Sequence, residues 1–483
     1  MQSNSISRRS FLRDIPLTAA GLPFVLKINT NQAGASEKGP VLSNNFFKIY
    51  LHQETGRFSV YRTNGNVLMP DCSMMAVSSD KEIRPDAPGF HHRTEVTKVN
   101  DAWGVGKRLL IQSAGINMPW MFTHSITMYD RYPGIFLDMS CVNKSDVPVN
   151  VESLFAVTPP ENGVASLLWP GTSKVLTNGP MYYDPGTLYP FSAPEENTVQ
   201  SWWNAGFFSG YKTEALVCGA LENLKAQGKI QVRRLPGDAI SLSLQSYLAK
   251  GFMLQPGQEV HSNRFVVLTG ENPYSALEDY ASLMGMLNNA RVNSIVNGWC
   301  SWFYTYEHVT EDEVVRNAEL ASRILKPYGL EYIQIDEGYQ RWHGEWEGNS
   351  RFPHGMKWLA DKIKSFGLKP GLWIAPYVIS EPTEVYQQHS DWLLRHPDGR
   401  LKRVGPWPSE DSDWARNENP RRYGLDITHP EAARWMYNLF RTIVHEWGYE
   451  MLKIDFVDWS LLSAYRYYDP SVSRAEAYRR GFE

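Results

Sequence analysis

From about Val41 to Gly270 the apolar positions come in short runs broken by Gly, Pro, Asn and Asp, which is the spacing of strands and turns. Residues 46–52 alternate apolar and polar side chains into a Glu54-Thr55-Gly56 turn and return through residues 58–61, which predicts a hairpin. Residues 108–111, 134–139, 151–157 and 264–268 predict further strands of the same kind. Together, residues 41–270 predict a large antiparallel β-sandwich domain. Residues 271–292 then change to helical spacing and predict a linker helix, centred on 274–290.

Beyond the linker, strand-like runs alternate with amphipathic helices, the pattern of parallel βα units. Residues 296–302 predict the first strand, and a helix opens after it at Thr310, with Glu313 three positions on as a capping box. Residues 331–339 predict the second strand, followed by a helix from about Gly355 that stops at Gly367. Residues 369–376 predict the third; a long excursion and a helix capped by Thr428 and Glu431 lead to the fourth, residues 449–457. The expected fold is therefore multidomain: an N-terminal antiparallel β-sandwich, then a (β/α)8 TIM-type barrel of which residues 293–483 supply about the first four βα units.

The fourth strand has one oily and one charged face. Strand side chains alternate with period 2, so Lys453 and Asp455 share a face while Leu452, Ile454 and Phe456 take the other. A lysine about 6 to 7 Å along the strand favours an ionised carboxylate, as a nucleophile needs; the same pair also suits a structural ion pair closing a barrel layer. Asp336 lies in phase with Gln334 and Tyr332 and opposite Ile333 and Ile335, so it too points into the barrel mouth. Carboxylates at the carboxyl ends of separate barrel strands read as catalytic or ligand-binding. No histidine stands at ligand spacing and Lys453 already supplies a cation, so neither a metal nor another cofactor is expected.

Composition narrows the setting. A chain of 483 residues with 42% hydrophobic residues is long enough for two buried cores, and no apolar run reaches the roughly 18 residues of a membrane span. A net charge of −4 leaves no basic footprint for nucleic acid. The 17 Trp and 25 Tyr suit sugar faces, although rings of this kind are also ordinary core. The four cysteines are widely spaced, without a CxxC pair, and argue against a zinc site or a disulfide framework. Residues 1–35 resemble a twin-arginine export signal: Arg8-Arg9 in Ser7–Arg13, an apolar stretch from Ile15 to Leu26, and Ala33-Gly34-Ala35 as a cleavage site. The expected location is periplasmic or extracellular, and homo-oligomerisation is left open.

Motifs then carry a resemblance. Asn297-Gly298-Trp299, Ile335-Asp336-Glu337-Gly338-Tyr339, Gly344-Glu345-Trp346, Gly371-Leu372-Trp373, Leu425-Asp426-Ile427-Thr428-His429-Pro430 and Lys453-Ile454-Asp455 resemble, in order and spacing, the melibiase-type α-galactosidases of glycoside hydrolase family 36. Val142-Asn143-Lys144-Ser145 is similar to a turn of that family's amino-terminal domain. The resemblance implies hydrolysis of terminal α-linked galactose with retention, Asp455 as nucleophile, and Lys453 holding Asp455 ionised and bonding a sugar hydroxyl. It implies Asp336 and Glu337 as the binders of the galactose hydroxyls on carbons 4 and 6. Trp346, Trp302 and Trp373 become walls of the site and Arg422 a further substrate-binding residue. The family more often has two aspartates where this chain has Asp336-Glu337.

Retention also needs a second carboxyl group about 5 to 5.5 Å from the nucleophile. In the family it lies well downstream of the lysine-x-aspartate strand. The resemblance therefore implies an acid/base residue beyond Glu483, a fragment of a longer enzyme, and little activity for this stretch alone. Related readings are an α-N-acetylgalactosaminidase, an α-galactosyl transferase, or a non-catalytic carbohydrate-binding protein.

Overall fold

The computed structural model describes residues 39–482 except 116–117, 161–164, 181–185, 192–197, 211–212, 237–238, 250–251, 293–294, 406–419, 458 and 460–465. The export-signal reading of residues 1–35 lies outside the described residues.

Among the described residues the amino-terminal part folds into two ten-stranded antiparallel sheets sharing one core. Alternation sets the burial: in Phe47–Leu51, Phe47, Ile49 and Leu51 are buried while Lys48 and Tyr50 are half-buried. Phe47–Leu51 pairs with Phe58–Arg62 as the predicted hairpin, and Ile111, Phe122, Leu137, Leu154, Leu242 and Phe265 meet between the sheets. One strand had no apolar signal. Phe90–Asp101 pairs along all of Gly104–Gly115, yet its sequence is largely polar because most of its side chains face solvent. All four cysteines are free.

Helix Pro273–Leu287 follows, capped by the Asn272 side chain, which accepts from Tyr274 N and Ser275 N. It is docked rather than spanning solvent: Ala276, Tyr280 and Leu283 are buried against Val217, Val266 and Leu268 of the sandwich.

His124 is enclosed in the sandwich beside Phe58, and burial lowers its pKa to about 4, with a backbone hydrogen bond at Ala156 opposing. A histidine held neutral stabilises the fold above its unfolded pKa of 6.5 and loses that contribution as pH falls toward 4, roughly 3 kcal/mol over the window. Glu222, raised to about 7 by burial, titrates there with the opposite sign. The readout is therefore a signed difference: the urea midpoint at pH 7 minus that at pH 4.5 should be smaller for His124→Asn than for wild type. An unchanged pH slope would show that His124 is not the titrating group.

The remainder is a four-stranded parallel sheet, Gly298–Cys300, Tyr332–Ile335, Lys369–Ile374 and Met451–Ile454, paired in chain order. Helices Glu311–Ile324, Gly355–Ser365 and Pro430–Arg441 lie between successive strands. Ile333, Ile335, Leu372 and Ile374 share a core with Val314, Ala318, Leu359, Ile363 and Ile443. Thr310 caps the first helix, accepting from Glu313 N at 3.3 Å. The third helix departs from expectation. Its cap is His429, which accepts from Glu431 N, because Thr428 turns its N–H and hydroxyl back to Asp426 Oδ1 at 3.0 and 2.7 Å.

Two antiparallel hairpins rise beyond the strand ends. Gln340–Trp342 pairs with Glu345–Gly348 after the second strand, and Val378–Ser380 after the third pairs with Arg422–Gly424. They carry Trp346 and Arg422 to the end of the sheet where Asp336 and Asp455 stand.

Candidate active site

The parallel register builds the site. Ile335 lies beside Leu372, and Trp373 beside Lys453, so Asp336, one residue on, is level with Trp373 and Lys453. Lys453 Nζ donates to Asp336 Oδ2 at 2.8 Å. The sequence reading put this lysine in the service of Asp455, two residues away on its own strand; the structure gives its ion pair to Asp336, across the intervening strand. The two backbones are two strand spacings apart, roughly 9 to 10 Å, a gap that the long lysine side chain spans.

Asp336 is 1% exposed and heavily bonded. Its Oδ2 also accepts from Gln334 Nε2 at 2.7 Å and from the Cys300 thiol at 3.4 Å, and Oδ1 accepts from Glu337 N at 2.9 Å. Its own N–H donates to Ser301 Oγ at 2.9 Å. Burial raises the Cys300 thiol pKa, with the Asp336 charge adding, so it acts there as a neutral donor.

Asp455 sits just past the fourth strand. Trp373 Nε1 donates to its Oδ2 at 3.0 Å, and Phe456 N to its Oδ1 at 2.9 Å. Its own N–H reaches Ile374 O at 2.9 Å, continuing the ladder one step. Phe456 then turns with φ 54°, a left-handed conformation unusual for a bulky residue, and stacks on Trp459 at 3.8 Å. The carboxylate is thus fixed on both oxygens by neutral donors, and a negatively charged group so held is suited to attack or to stabilise positive charge.

Glu337 faces a histidine the sequence analysis did not single out. His343 Nε2 lies 3.0 Å from Glu337 Oε1. Its ring centroid is 6.1 Å from that of Trp346, 5.8 Å from Trp373 and 6.3 Å from Phe456. Burial lowers its pKa, opposed by Glu337. His343 occupies the hairpin turn with Gly344, which takes φ +103°. The only sequence signal was that glycine; the histidine stands in a polar stretch with no periodicity to mark it.

The remaining predicted residues divide. Trp346 and Trp373 are buried with ring centroids 6.0 Å apart, and Trp373 touches Asp455. Arg422 lies on the second hairpin, where burial lowers its pKa and the charge of Glu337 opposes the shift. Trp302 begins the short helix Trp302–Thr305, where its ring meets Tyr306 edge-on at 5.4 Å. The structure thus gathers Lys453 with Asp336, Asp455 with Trp373, and Glu337 with Arg422 and His343, while Trp302 contacts a different neighbour.

Among the described residues, no group of three or more His, Cys, Asp or Glu side chains gathers as a metal site, and no helix is long and apolar enough to cross a membrane. The carboxylates instead stand with aromatic rings, which suits a polyhydroxylated ring with polar edges and apolar faces.

Residues 286–463 match the family model Melibiase. The chain is similar to the α-galactosidase AgaA of Geobacillus stearothermophilus, 27% identical over 237 residues, covering 40% of this chain and 32% of that protein. It is similar to the α-galactosidase of Lactobacillus acidophilus, 30% identical over 192 residues, covering 37% of this chain and 23% of that protein. The matched stretch thus spans a third or less of each relative. The fold resembles the crystal structure of the G. stearothermophilus enzyme with a TM-score of 0.59 at 14% identity, covering 90% of this chain and 61% of that one. Through residues 286–463, the segment that carries Asp336, Lys453 and Asp455, this chain is similar to the melibiase-type α-galactosidases.

Proposed function

We propose that this chain forms the sandwich and the first four βα units of a (β/α)8 barrel in a retaining α-galactosidase, with Asp455 as nucleophile. The observation that carries the reading is the clamping of Asp455 by Trp373 Nε1 and Phe456 N at the end of a parallel strand, two residues beyond the Lys453–Asp336 pair. In this reading the galactosyl ring stacks on the Trp373 and Trp346 walls. An Asp455 oxygen attacks the anomeric carbon, the bond to the leaving oxygen breaks, and a glycosyl ester forms; water then cleaves the ester with retention. Lys453, 40% exposed beside the buried Asp336, presents its remaining N–H donors to a sugar hydroxyl. Protonation of an ordinary leaving oxygen requires a second carboxyl group about 5 to 5.5 Å from the nucleophile. The twin-arginine-like residues 7–13 support a working place outside the cytoplasm.

The first step can be tested without that second carboxyl, because fluoride leaves unaided. Incubation with a fluorinated α-galactosyl fluoride should add one glycosyl mass to the peptide containing Asp455, and Asp455→Asn should remove the adduct. Labelling at another carboxylate would reassign the nucleophile. No labelling, together with undiminished galactose binding, would favour a non-catalytic sugar-binding protein.

A further inference from the structure

One of the two large sheets ends on Phe90–Asp101, and its outer edge is open. The strand pairs residue for residue with Gly104–Gly115, from Phe90 with Gly115 to Asp101 with Gly104, without a bulge. Among the described residues, none of its 12 residues makes a backbone hydrogen bond outside that ladder. A straight edge of this length is a row of N–H and C=O groups that a further strand can take up. A proline or a bulge would blunt such an edge, and this strand has neither.

Alternation gives its faces separate characters. Thr94 and Val96 lie on the face of Ile111 and Leu109, which are core residues, yet Val96 is 49% exposed, with no further strand beside it. Arg93 and Glu95 lie on the opposite face, both exposed, and neither makes an ion pair among the described residues. Two copies can join such edges antiparallel about a two-fold axis. With Thr94 on the axis, each Arg93 stands directly opposite the Glu95 of the second copy, so two ion pairs form at once. In the same register His92 lies opposite Val96, and the paired stretch runs from Phe90 to Lys98. The register that sets Arg93 opposite Asp101 is disfavoured, because Asp101 already accepts from Tyr129 Oη at 2.7 Å and from Trp103 N at 3.0 Å.

We propose that this edge is an interface between two copies of the chain, joined antiparallel across a two-fold axis at Thr94, so that the sheets of the two copies run on as one. The Arg93–Glu95 pairs set the register and Val96 loses its exposure to the added strand.

Sedimentation velocity of the full chain over a concentration series tests the proposal. Wild type should show a monomer–dimer equilibrium in the micromolar range, as suits an interface of one strand pair. Arg93→Glu or Glu95→Arg alone turns both ion pairs into like-charge pairs and should weaken dimerisation by about tenfold or more. The double variant restores opposite charges with their signs exchanged and should return to within about threefold of wild type. Both side chains are exposed, so the fold should tolerate all three changes. A second measurement reads the register directly. On oxidation with diamide, Thr94→Cys should give a covalent dimer, whereas Lys98→Cys, roughly 26 Å from its counterpart in this register, should not. A monomer at every concentration, a dimer of equal strength in the single and double charge variants, or cross-linking through Lys98→Cys in place of Thr94→Cys would each overturn the proposal.

Discussion

Asp455→Asn is expected to lower turnover of an aryl α-galactoside with an activated leaving group by about four orders of magnitude or more, while galactose still binds. Asparagine is nearly isosteric with aspartate. Its side-chain oxygen can keep the Trp373 Nε1 or Phe456 N donor that clamps the carboxylate in the wild type. What it loses is the anionic nucleophile, so the ester intermediate has no group to form on. A smaller replacement sharpens the test. Asp455→Gly opens space for azide, which would attack from the vacated side and yield β-galactosyl azide, the anomer opposite to the substrate. Recovery of turnover with that product fixes both the residue and the face of attack. Near wild-type turnover by Asp455→Asn would mean that a different residue carries the covalent step.

The second large effect concerns Asp336, and it joins stability to binding. Asp336→Ala removes the acceptor for Lys453 Nζ, Gln334 Nε2, the Cys300 thiol and Glu337 N at once. Gln334 and the aspartate side chain are buried, so their part of the network is lost in a low-dielectric setting, whereas Lys453 can still reach water. The expected cost is about 3 kcal/mol, with the lysine contributing the smaller share because its charge is screened. Hydrogen exchange across Tyr332–Ile335 should speed up accordingly, and galactose affinity should fall below detection as Lys453 and Glu337 lose their common anchor. Asp336→Asn, which keeps one acceptor oxygen but loses the charge and the second acceptor, should lose about half as much stability. If Asp336→Ala unfolds within about 0.5 kcal/mol of wild type, the carboxylate is not the hub described here.

Much of this site was legible along the chain, because the features involved are local. Period 2 in Leu452-Lys453-Ile454-Asp455 and in Ile333-Gln334-Ile335-Asp336 separated a core face from a charged face. The structure buries Ile333 and Ile335 with the helices and bonds Gln334 to Asp336 on the other side. Cap and stop residues located the helices for the same reason, since a hydroxyl three residues from the N–H it accepts is a matter of sequence distance. Thr428 shows where that logic ends: a competing acceptor two residues back, Asp426, claimed its hydroxyl and left the cap to His429. The polar strand Phe90–Asp101 was invisible for a related reason, as its place depends on a twelve-residue ladder with its neighbour and not on apolar side chains of its own.

What tertiary structure decided was partnership. Alternation by itself determined that Lys453, Asp455 and Asp336 face one way, because the direction of a side chain follows from its position on a strand. It could not determine that Lys453 pairs with Asp336, which depends on the register of three parallel strands. Nor could it show that Trp373 holds Asp455, or that His343 meets Glu337 from the turn of a hairpin. Those contacts join residues whose separation along the chain carries no information about distance in space; only the packing of strands and hairpins at one end of the sheet brings them together.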